Sequence, residues 1–377
     1  MKILIIVRIL WTAGAPKKAI REAKELAKLG HDVKLIFLRK ATTLSGYEDL
    51  LEGVNFRIVT YHNDSPLVPI YDYFTGKFMP DRKGEGRVDY NLIRKLPHIV
   101  KSENPDFLIC HDQYSGLGGY YVKKKFGIPY SVLLHERVDN ESNVILQRLA
   151  NIFEKRTLMN ASCIVASTGK IARSVFQKYG INCVTNYQGL DLSKFKVYEN
   201  KESALIAVSF WDSGRRPIVY LDVIERLPGF KLYFVGNWRD NTLRNTFTKE
   251  ISSRNLTGRI VLATGIDENK LNEIYDKSKF VIRFGFGEYG ESHAVFEGLQ
   301  RGLPVIINRD LGSSDLVEEY EVGVVLDDLT PDTVRTKIQE LDNKEAYTRV
   351  QENILKASKD LSWATHAKNL ICPYRLE

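Results

Sequence analysis

The segment "GFGEYGESHAVFEGLQRGLPVI" (residues 285–306) gathers Glu288, Glu291 and Glu297 around a glycine-rich turn that leads into a helical pattern. Acids in such a place have three chemical uses. Glu291 or Ser292 can cap the helix by accepting hydrogen bonds from its first N–H groups. Glu288, Glu291 and His293 can make a loose metal cluster, although their spacing matches no recognised site. Glu297 shares a helix face with His293, one turn earlier, and can accept hydrogen bonds from paired ligand hydroxyls. Residue types alone leave the cap and the hydroxyl hook equally supported.

A second candidate is "SFWDSGRRP" (209–217), where Arg215 and Arg216 follow an apolar run and precede a helical one. Helix N-termini favour anions, and a guanidinium adds charge-assisted hydrogen bonds of roughly 1.5–3 kcal/mol each. The pair reads either as a diphosphate clamp or as surface arginines beside a turn. Two histidines end apolar runs next to an acid: His111 before Asp112, and His135 before Glu136. Both suit a ligand site, and His111 equally suits a buried, hydrogen-bonded role. His31, His62, His98 and His366 fall in turns, loops or near helix ends and read as structural or solvent-facing.

The elements that must position these residues follow from periodicity. "MKILIIVRIL" reads as a buried first strand rather than a signal peptide. A loop with Gly14 follows, then a helix with Ala19, Ile20, Ala23, Leu26 and Ala27 on one face and Gly30 at its end. "HDVKLIFL" completes a βαβ unit. "PDFLICHD", "PYSVLLHE" and "CIVAS" continue the strands. The rhythm pauses in polar residues near 190–203 and restarts with "ALIAVSF", "FKLYFVG", "RIVLATG" and "FVIRFGF". The pattern predicts an α/β chain of two Rossmann-like, doubly wound domains, residues 1–192 and 193–360, with a terminal helix in 361–377. In open parallel sheets ligands bind outside the carboxyl ends of strands. That rule collects Gly14, the His111 and His135 ends, the 209–217 loop, the turn containing Gly265 and the 285–306 segment. Residues 62–90 are a long, irregular, aromatic stretch with Tyr71, Tyr73, Phe74 and Phe78.

Composition narrows the function classes. The net charge is +7, and it is uneven: residues 1–190 hold 28 Lys/Arg against 18 Asp/Glu. A basic first domain suits an anionic membrane surface or lipid phosphate, or is a solvated face. The basic residues form no dense block and no nucleic-acid-binding motif, which argues against nucleic acid. No apolar run approaches the roughly 20 residues of a membrane span. Cys110, Cys163, Cys183 and Cys372 are scattered without a C-x-x-C pair. That predicts reduced thiols in a cytoplasm and no zinc site.

Several of these segments together resemble the retaining glycosyltransferases of family 4. "FEGLQRGLPVI" is similar to that family's "LEAMACGTPVI", and "NYQGLDLSKF" to its "PNGVDLERF". "HDVKLIFL", "PDFLICHD", "GIPYSVLLHE" and "LSWATHAKNL" also have counterparts there. The resemblance implies the GT-B fold, with two domains facing a cleft and the terminal helix crossing back to the first. It implies sugar transfer from a UDP-sugar or, second, a GDP-sugar to a glycan or polyprenyl-linked acceptor. No metal or other cofactor is expected, and the protein is expected in the cytoplasm, peripheral to the inner face of the cell membrane. An epimerase of the same architecture, or a degenerate sugar-nucleotide-binding homologue, is the alternative.

The resemblance also assigns residues. Glu297 matches the second glutamate of the family's E-x7-E motif and is expected on the ribose. The first position of that motif is Tyr289 here, so Glu291 is expected to hold the donor sugar, with Glu288 as substitute. Arg215 stands at the family's lysine position and Phe210 at its arginine position, so Arg216 is expected to supply the second cation. His135 matches a histidine that lies against the donor sugar, and Gly14 a glycine where backbone approaches phosphate or acceptor. Catalysis is thus expected from His135, Glu291 and Arg215. Donor binding is expected from Gly14, Arg215, Arg216, Gly265, Glu288, Ser292, His293, Ala294 and Glu297. Acceptor binding is expected from His111, Asp112, Tyr71 and Tyr73.

Overall fold

Strands and helices alternate through most of the described residues of a computed structural model, which are 1–10, 14–40, 51–60, 90–136, 144–197 and 201–371. The order begins β1 (Lys2–Leu10), α1 (Ala15–Lys28), β2 (Asp32–Lys40), β3 (Phe56–Thr60), α2 (Tyr90–Glu103), β4 (Phe107–His111) and α3 (Gln113–Phe126). It continues with β5 (Tyr130–Leu134), α4 (Val144–Asn160), β6 (Cys163–Ala166), α5 (Gly169–Tyr179) and β7 (Val184–Thr185). Next come β8 (Ala204–Val208), α6 (Ile218–Glu225), β9 (Lys231–Val235), α7 (Asn241–Ser253), β10 (Ile260–Ala263), α8 (Glu268–Lys277) and β11 (Phe280–Arg283). The chain closes with α9 (His293–Leu299), β12 (Val305–Asn308), α10 (Ser314–Glu319), β13 (Gly323–Leu326), α11 (Pro331–Leu341), α12 (Lys344–Asp360) and α13 (Trp363–Ile371). Tyr71, Tyr73 and the rest of the 62–89 stretch lie outside the described residues.

The strands form two sheets, ordered β3-β2-β1-β4-β5-β6-β7 and β10-β9-β8-β11-β12-β13. Among the described residues all the strand pairs are parallel. In each sheet the order reverses once, between β1 and β4 in the first and between β8 and β11 in the second. Such switch points leave a crevice at the carboxyl edge, because the two flanking connections run to opposite faces.

The chain divides into two compact units, one of Met1–Gly189 with the segment from Trp363, the other Leu190–Ser362. These divisions fall a few residues from the expected 192/193 and 360/361. In the first unit β4 and β5 are buried throughout, as strands covered by helices on both faces must be. Ala19, Ile20, Ala23 and Leu26 of α1 share one core cluster with Ala367, Leu370 and Ile371 of α13. The terminal helix therefore belongs to the first unit. Each such leucine or isoleucine contributes roughly 1.5–3 kcal/mol by leaving water.

Two expectations change here. Helix α4, strand β3 and helix α2 are elements that the sequence pattern did not mark. Cys110 and Cys183 are free, but Cys163 is disulfide-bonded, against the expectation of reduced thiols; spacing along the chain cannot report which sulfurs meet in space. No described helix is long and apolar enough to cross a membrane.

Candidate functional site

At the switch point of the second unit, two loops leave β8 and β11 side by side. The loop after β8 is anchored by Trp211, which is fully buried, donates from Nε1 to the Val235 carbonyl (2.9 Å) and stacks on Phe234 with centroids 3.8 Å apart. Its backbone also runs against β9: a Cβ on Gly236 would meet the Ser209 carbonyl oxygen at 1.7 Å, and φ there is +129°, so only glycine fits. Asp212 then caps the turn Ser213–Arg215 by accepting from the Arg215 N–H. This framing aims Arg215 at Ser209 Oγ (2.8 Å) and at Glu288 (3.4 Å).

Glu288 is the centre of that cluster. Arg283, at the end of β11 and 2% exposed, donates to both its carboxylate oxygens at 2.8 and 2.7 Å. Two guanidiniums thus share one carboxylate, and one positive charge is left over. The expectation of Glu288 as a stand-in sugar ligand is corrected by this geometry: its oxygens are already committed to arginines. Arg283 was missed by sequence reasoning. The signal was a single charge at the end of an otherwise apolar run, a position that is almost never buried without a partner.

Arg216 takes another direction. Its guanidinium lies over the Phe286 ring at 4.3 Å and lines a pocket of about 470 Å3 with Phe286, Asn308, Arg309 and Asp327. Arg215 and Arg216, expected together as a diphosphate clamp, thus have different partners, Glu288 and the Phe286 ring. Arg216 also holds φ +43°, a conformation that costs a non-glycine residue energy and is often kept at functional sites.

The glycine-rich turn is held from below by the loop after β12. Asn308 accepts from the Gly285 N–H (2.8 Å) and donates to its carbonyl (2.7 Å). A Cβ on Gly312 would meet the Tyr289 and Gly290 carbonyl oxygens at 2.1 and 2.3 Å, so Gly312 is what lets the turn pack so low. Ser313 Oγ accepts from the Ser292 N–H (3.0 Å). Ser292 stands at the N-cap of α9, but its side chain makes no cap hydrogen bond, so the capping alternative is not realised at this residue. Ala294 is buried, His293 is exposed and Glu291 is half-buried.

Glu297 keeps 42% of its side-chain surface, and its Oε2 lies 2.5 Å from Arg301 Nη1. Arg301 is buried under Tyr275, donates to Asn272 and also holds the Glu297 carbonyl at 2.7 Å. A carboxylate steadied on one oxygen and exposed at its end is well placed to accept from a ligand. Gly265, with φ +65°, donates its N–H to Asn237 Oδ1 (3.1 Å).

The switch point of the first unit is built differently. Gly14 caps α1 at φ 50°, ψ −118°, a region open only to glycine. Asp112 accepts from the Tyr114 and Ser115 N–H groups (2.9 and 2.8 Å) and from Arg8 Nε (2.6 Å). The carboxylate expected to bind acceptor is thus spent on starting α3. His111 is 1% exposed, which removes it from direct acceptor contact and favours the buried alternative. Parallel pairing of β4 and β5 sets His111 opposite Leu133, so His135 emerges beside it. His111 Nδ1 and His135 Nε2 are 2.9 Å apart. His111 Nε2 lies 2.7 Å from Glu22 Oε2, and His366 Nε2 lies 2.7 Å from Glu22 Oε1.

Glu22 is fully buried. Burial pushes its carboxyl up, but the charges and hydrogen bonds of His111 and His366 outweigh that and hold it well below the ordinary value. Sequence reasoning passed over Glu22, although a charge on the apolar face of α1 is itself a signal. His366, read as structural or solvent-facing, is structural.

Comparison with known proteins accords with this layout. Residues 14–194 match the family described as Glycosyltransferase Family 4, and residues 285–372 match Glucosyltransferase 3-like, C-terminal domain. An uncharacterized glycosyltransferase of Methanocaldococcus jannaschii is 22% identical over 323 residues, 83% of this chain and 87% of that protein. Among solved structures, Anabaena HepE in complex with UDP and glucose superposes with a TM-score of 0.75 at 15% identity, covering 98% of each chain. Sucrose-phosphate synthase from Thermosynechococcus elongatus gives 0.74 at 14% identity, covering 99% of this chain and 98% of that one. With residues 14–194 matched to the Glycosyltransferase Family 4 model and nearly the whole chain superposing on such enzymes, the chain is a glycosyltransferase of the GT-B fold.

Proposed function

We propose that the chain is a retaining transferase that moves a sugar from a UDP-sugar to a hydroxyl of a glycan or polyprenyl-linked acceptor, with GDP-sugars as second choice. The observation that carries the reading is the Arg283–Glu288–Arg215 cluster, whose surplus positive charge sits at the carboxyl edge of the second sheet. Arg215 meets the departing diphosphate, Arg216 supplies charge from the neighbouring pocket, Glu297 accepts from the ribose hydroxyls, and Glu291 holds the sugar. In the transfer, the bond between the sugar's anomeric carbon and the diphosphate breaks. The acceptor oxygen bonds to the same face, and its proton leaves with the nucleoside diphosphate. Fixed guanidiniums stabilise the charge that develops on the leaving group, with no metal or other cofactor in that role. The choice of UDP leans on HepE, whose structures include complexes with UDP and UDP-glucose.

The test is a thermal-shift panel of UDP, GDP and their sugars. A ligand at 100 times its dissociation constant adds about 2.7 kcal/mol. UDP is expected to raise the melting temperature more than GDP, and Glu297→Ala to abolish the shift while folding normally. Stabilisation by GDP alone would overturn the base assignment. NMR of the first product then reads the anomeric configuration, and an inverted linkage would overturn the retaining mechanism.

The acceptor side of the reading rests on the basic first unit. There α4 exposes Ile152, Phe153 and Met159 beside Lys155 and Arg156, a pairing that fits an anionic lipid surface. Flotation with phosphatidylglycerol vesicles is expected to carry the protein, and Ile152→Ser/Phe153→Ser to leave it behind. Equal flotation with neutral vesicles would remove the electrostatic part of this proposal.

A further inference from the structure

A buried guanidinium limits how Glu297 can meet a ligand. Arg301 lies just past the end of α9 and is 2% exposed, so its charge must be met inside the protein. Its Nη1 donates to the Glu297 carbonyl (2.7 Å) and to Glu297 Oε2 (2.5 Å). Its Nη2 donates to Asn272 Oδ1 on α8, and its Cζ lies 4.5 Å from the centroid of the Tyr275 ring. Among the described residues Glu297 is its only carboxylate partner. Asp276, one turn along α8 from Asn272, is taken by Lys196 at 2.6 Å. Glu297 therefore cannot swing to another rotamer without stranding a buried charge, which is strongly disfavoured. Its Oε1 makes no hydrogen bond among the described residues, and 42% of the side chain is exposed. The carboxylate is thus held at one oxygen and open at the other.

The hold on Arg301 is itself anchored by the segment between β7 and β8. Lys194 Nζ donates to Asn272 Oδ1 (3.2 Å), so one amide oxygen accepts from both Lys194 and Arg301. The Lys196 N–H donates to the Arg301 carbonyl (3.4 Å). Gln351 Nε2, on α12, donates to the carbonyls of Lys196 and Gly302, both at 2.9 Å. A Cβ on Gly302 would meet that nitrogen at 2.8 Å, and φ there is +74°, so glycine keeps the turn close. Backbone and side chain of Arg301 are fixed by separate contacts.

We propose that Arg301 and Asn272 are positioning residues that make the second unit selective for nucleotides with an intact ribose diol. This rests on the reading of Glu297 as the ribose contact. A glutamate free to rotate loses rotamer freedom when it binds, whereas one already held loses little. The diol therefore gains affinity that a sugar lacking both hydroxyls does not. Lysine in place of Arg301 would keep the charge but lose the planar fork that reaches Glu297 and Asn272 together.

The test is calorimetry of the full chain with UDP and with 2′,3′-dideoxy-UDP. The guanosine pair is run alongside, so that the choice of base does not enter. The wild type is expected to bind the diol form roughly 10–100-fold more tightly, as a hydrogen bond to a charged group allows. In Arg301→Lys and in Asn272→Ala that ratio is expected to narrow about three- to tenfold, with the dideoxy affinity changed less than about twofold. A ratio that stays at the wild-type value while the melting temperature falls would make both residues merely structural and overturn the proposal. Equal loss of affinity for both nucleotides would overturn it as well. If Arg301→Lys does not fold, Asn272→Ala, at a half-buried position on α8, decides. A wild type that binds both forms equally would remove Glu297 from the ribose, and the proposal with it. Discrimination in the wild type with an unmoved ratio in the variants would count against the positioning role alone.

Discussion

The two switch points have the same topology and opposite electrostatics. In the first unit the Glu22 carboxylate is enclosed between the rings of His111 and His366, and the next ring in line, His135, is half-buried rather than closed off. In the second unit two arginines meet one carboxylate close to solvent, so charge is left over and faces a ligand. A doubly wound sheet supplies a crevice in both cases. What fills the crevice from beneath decides whether charge is shut away inside or left over to attract an anion. The first arrangement gains precision from low dielectric and full pairing; the second keeps unspent charge because it is partly wet.

Breaking the enclosed carboxylate should have the largest effect. Glu22→Ala removes the buried carboxylate that His111 and His366 approach at 2.7 Å and is expected to cost about 3–5 kcal/mol in urea unfolding. Because the folded carboxyl is held below its ordinary value of 4.5, its contribution is complete above that value. It disappears as pH falls through the folded value. The wild type should therefore lose stability on acidification below 4.5, and Glu22→Ala should show a shallower loss. Identical acid profiles would mean that the rings do not stabilise the carboxylate.

The open cluster should respond in binding rather than in stability. Arg215→Ala is expected to weaken UDP binding by about 1.5–3 kcal/mol, roughly ten- to hundredfold by calorimetry. Unfolding should hardly change, because Arg283 still holds Glu288 at two points. Unchanged affinity would mean that the anion binds elsewhere. The smallest effects come from the two helix starts. Asp112→Ala removes two hydrogen bonds to backbone and is expected to cost about 1–2 kcal/mol. Ser292→Ala, at a cap that makes no side-chain bond, should stay within about 0.5 kcal/mol. Equal losses at both would erase the contrast.

Much of this was legible beforehand. The apolar runs of β1, β4, β5, β8 and β11 are unambiguous because strands buried on both faces need unbroken hydrophobicity. The carboxyl-edge rule then selected Arg215, Glu297, His135 and their neighbours without any coordinates. Helix α4 escaped because its exposed Ile152, Phe153 and Met159 blur the amphipathic stripe that marks a surface helix. The roles of Asp112 and Glu288 escaped because their partners, Arg8 and Arg283, come from other positions along the chain.

Sequence by itself determined the parallel α/β architecture, the two-part division and the loops that carry chemistry, since each depends on local periodicity and turn residues. The three acids of the 285–306 segment looked interchangeable at that level. Only the tertiary structure separated them, giving Glu288 to Arg283 and Arg215 and leaving Glu297 steadied by Arg301 with its end exposed. It alone brought His366 to the buried Glu22 carboxylate, 344 residues away along the chain. A charge becomes structural or functional through what neutralises it, and neutralising partners are chosen by packing in space rather than by order along the chain.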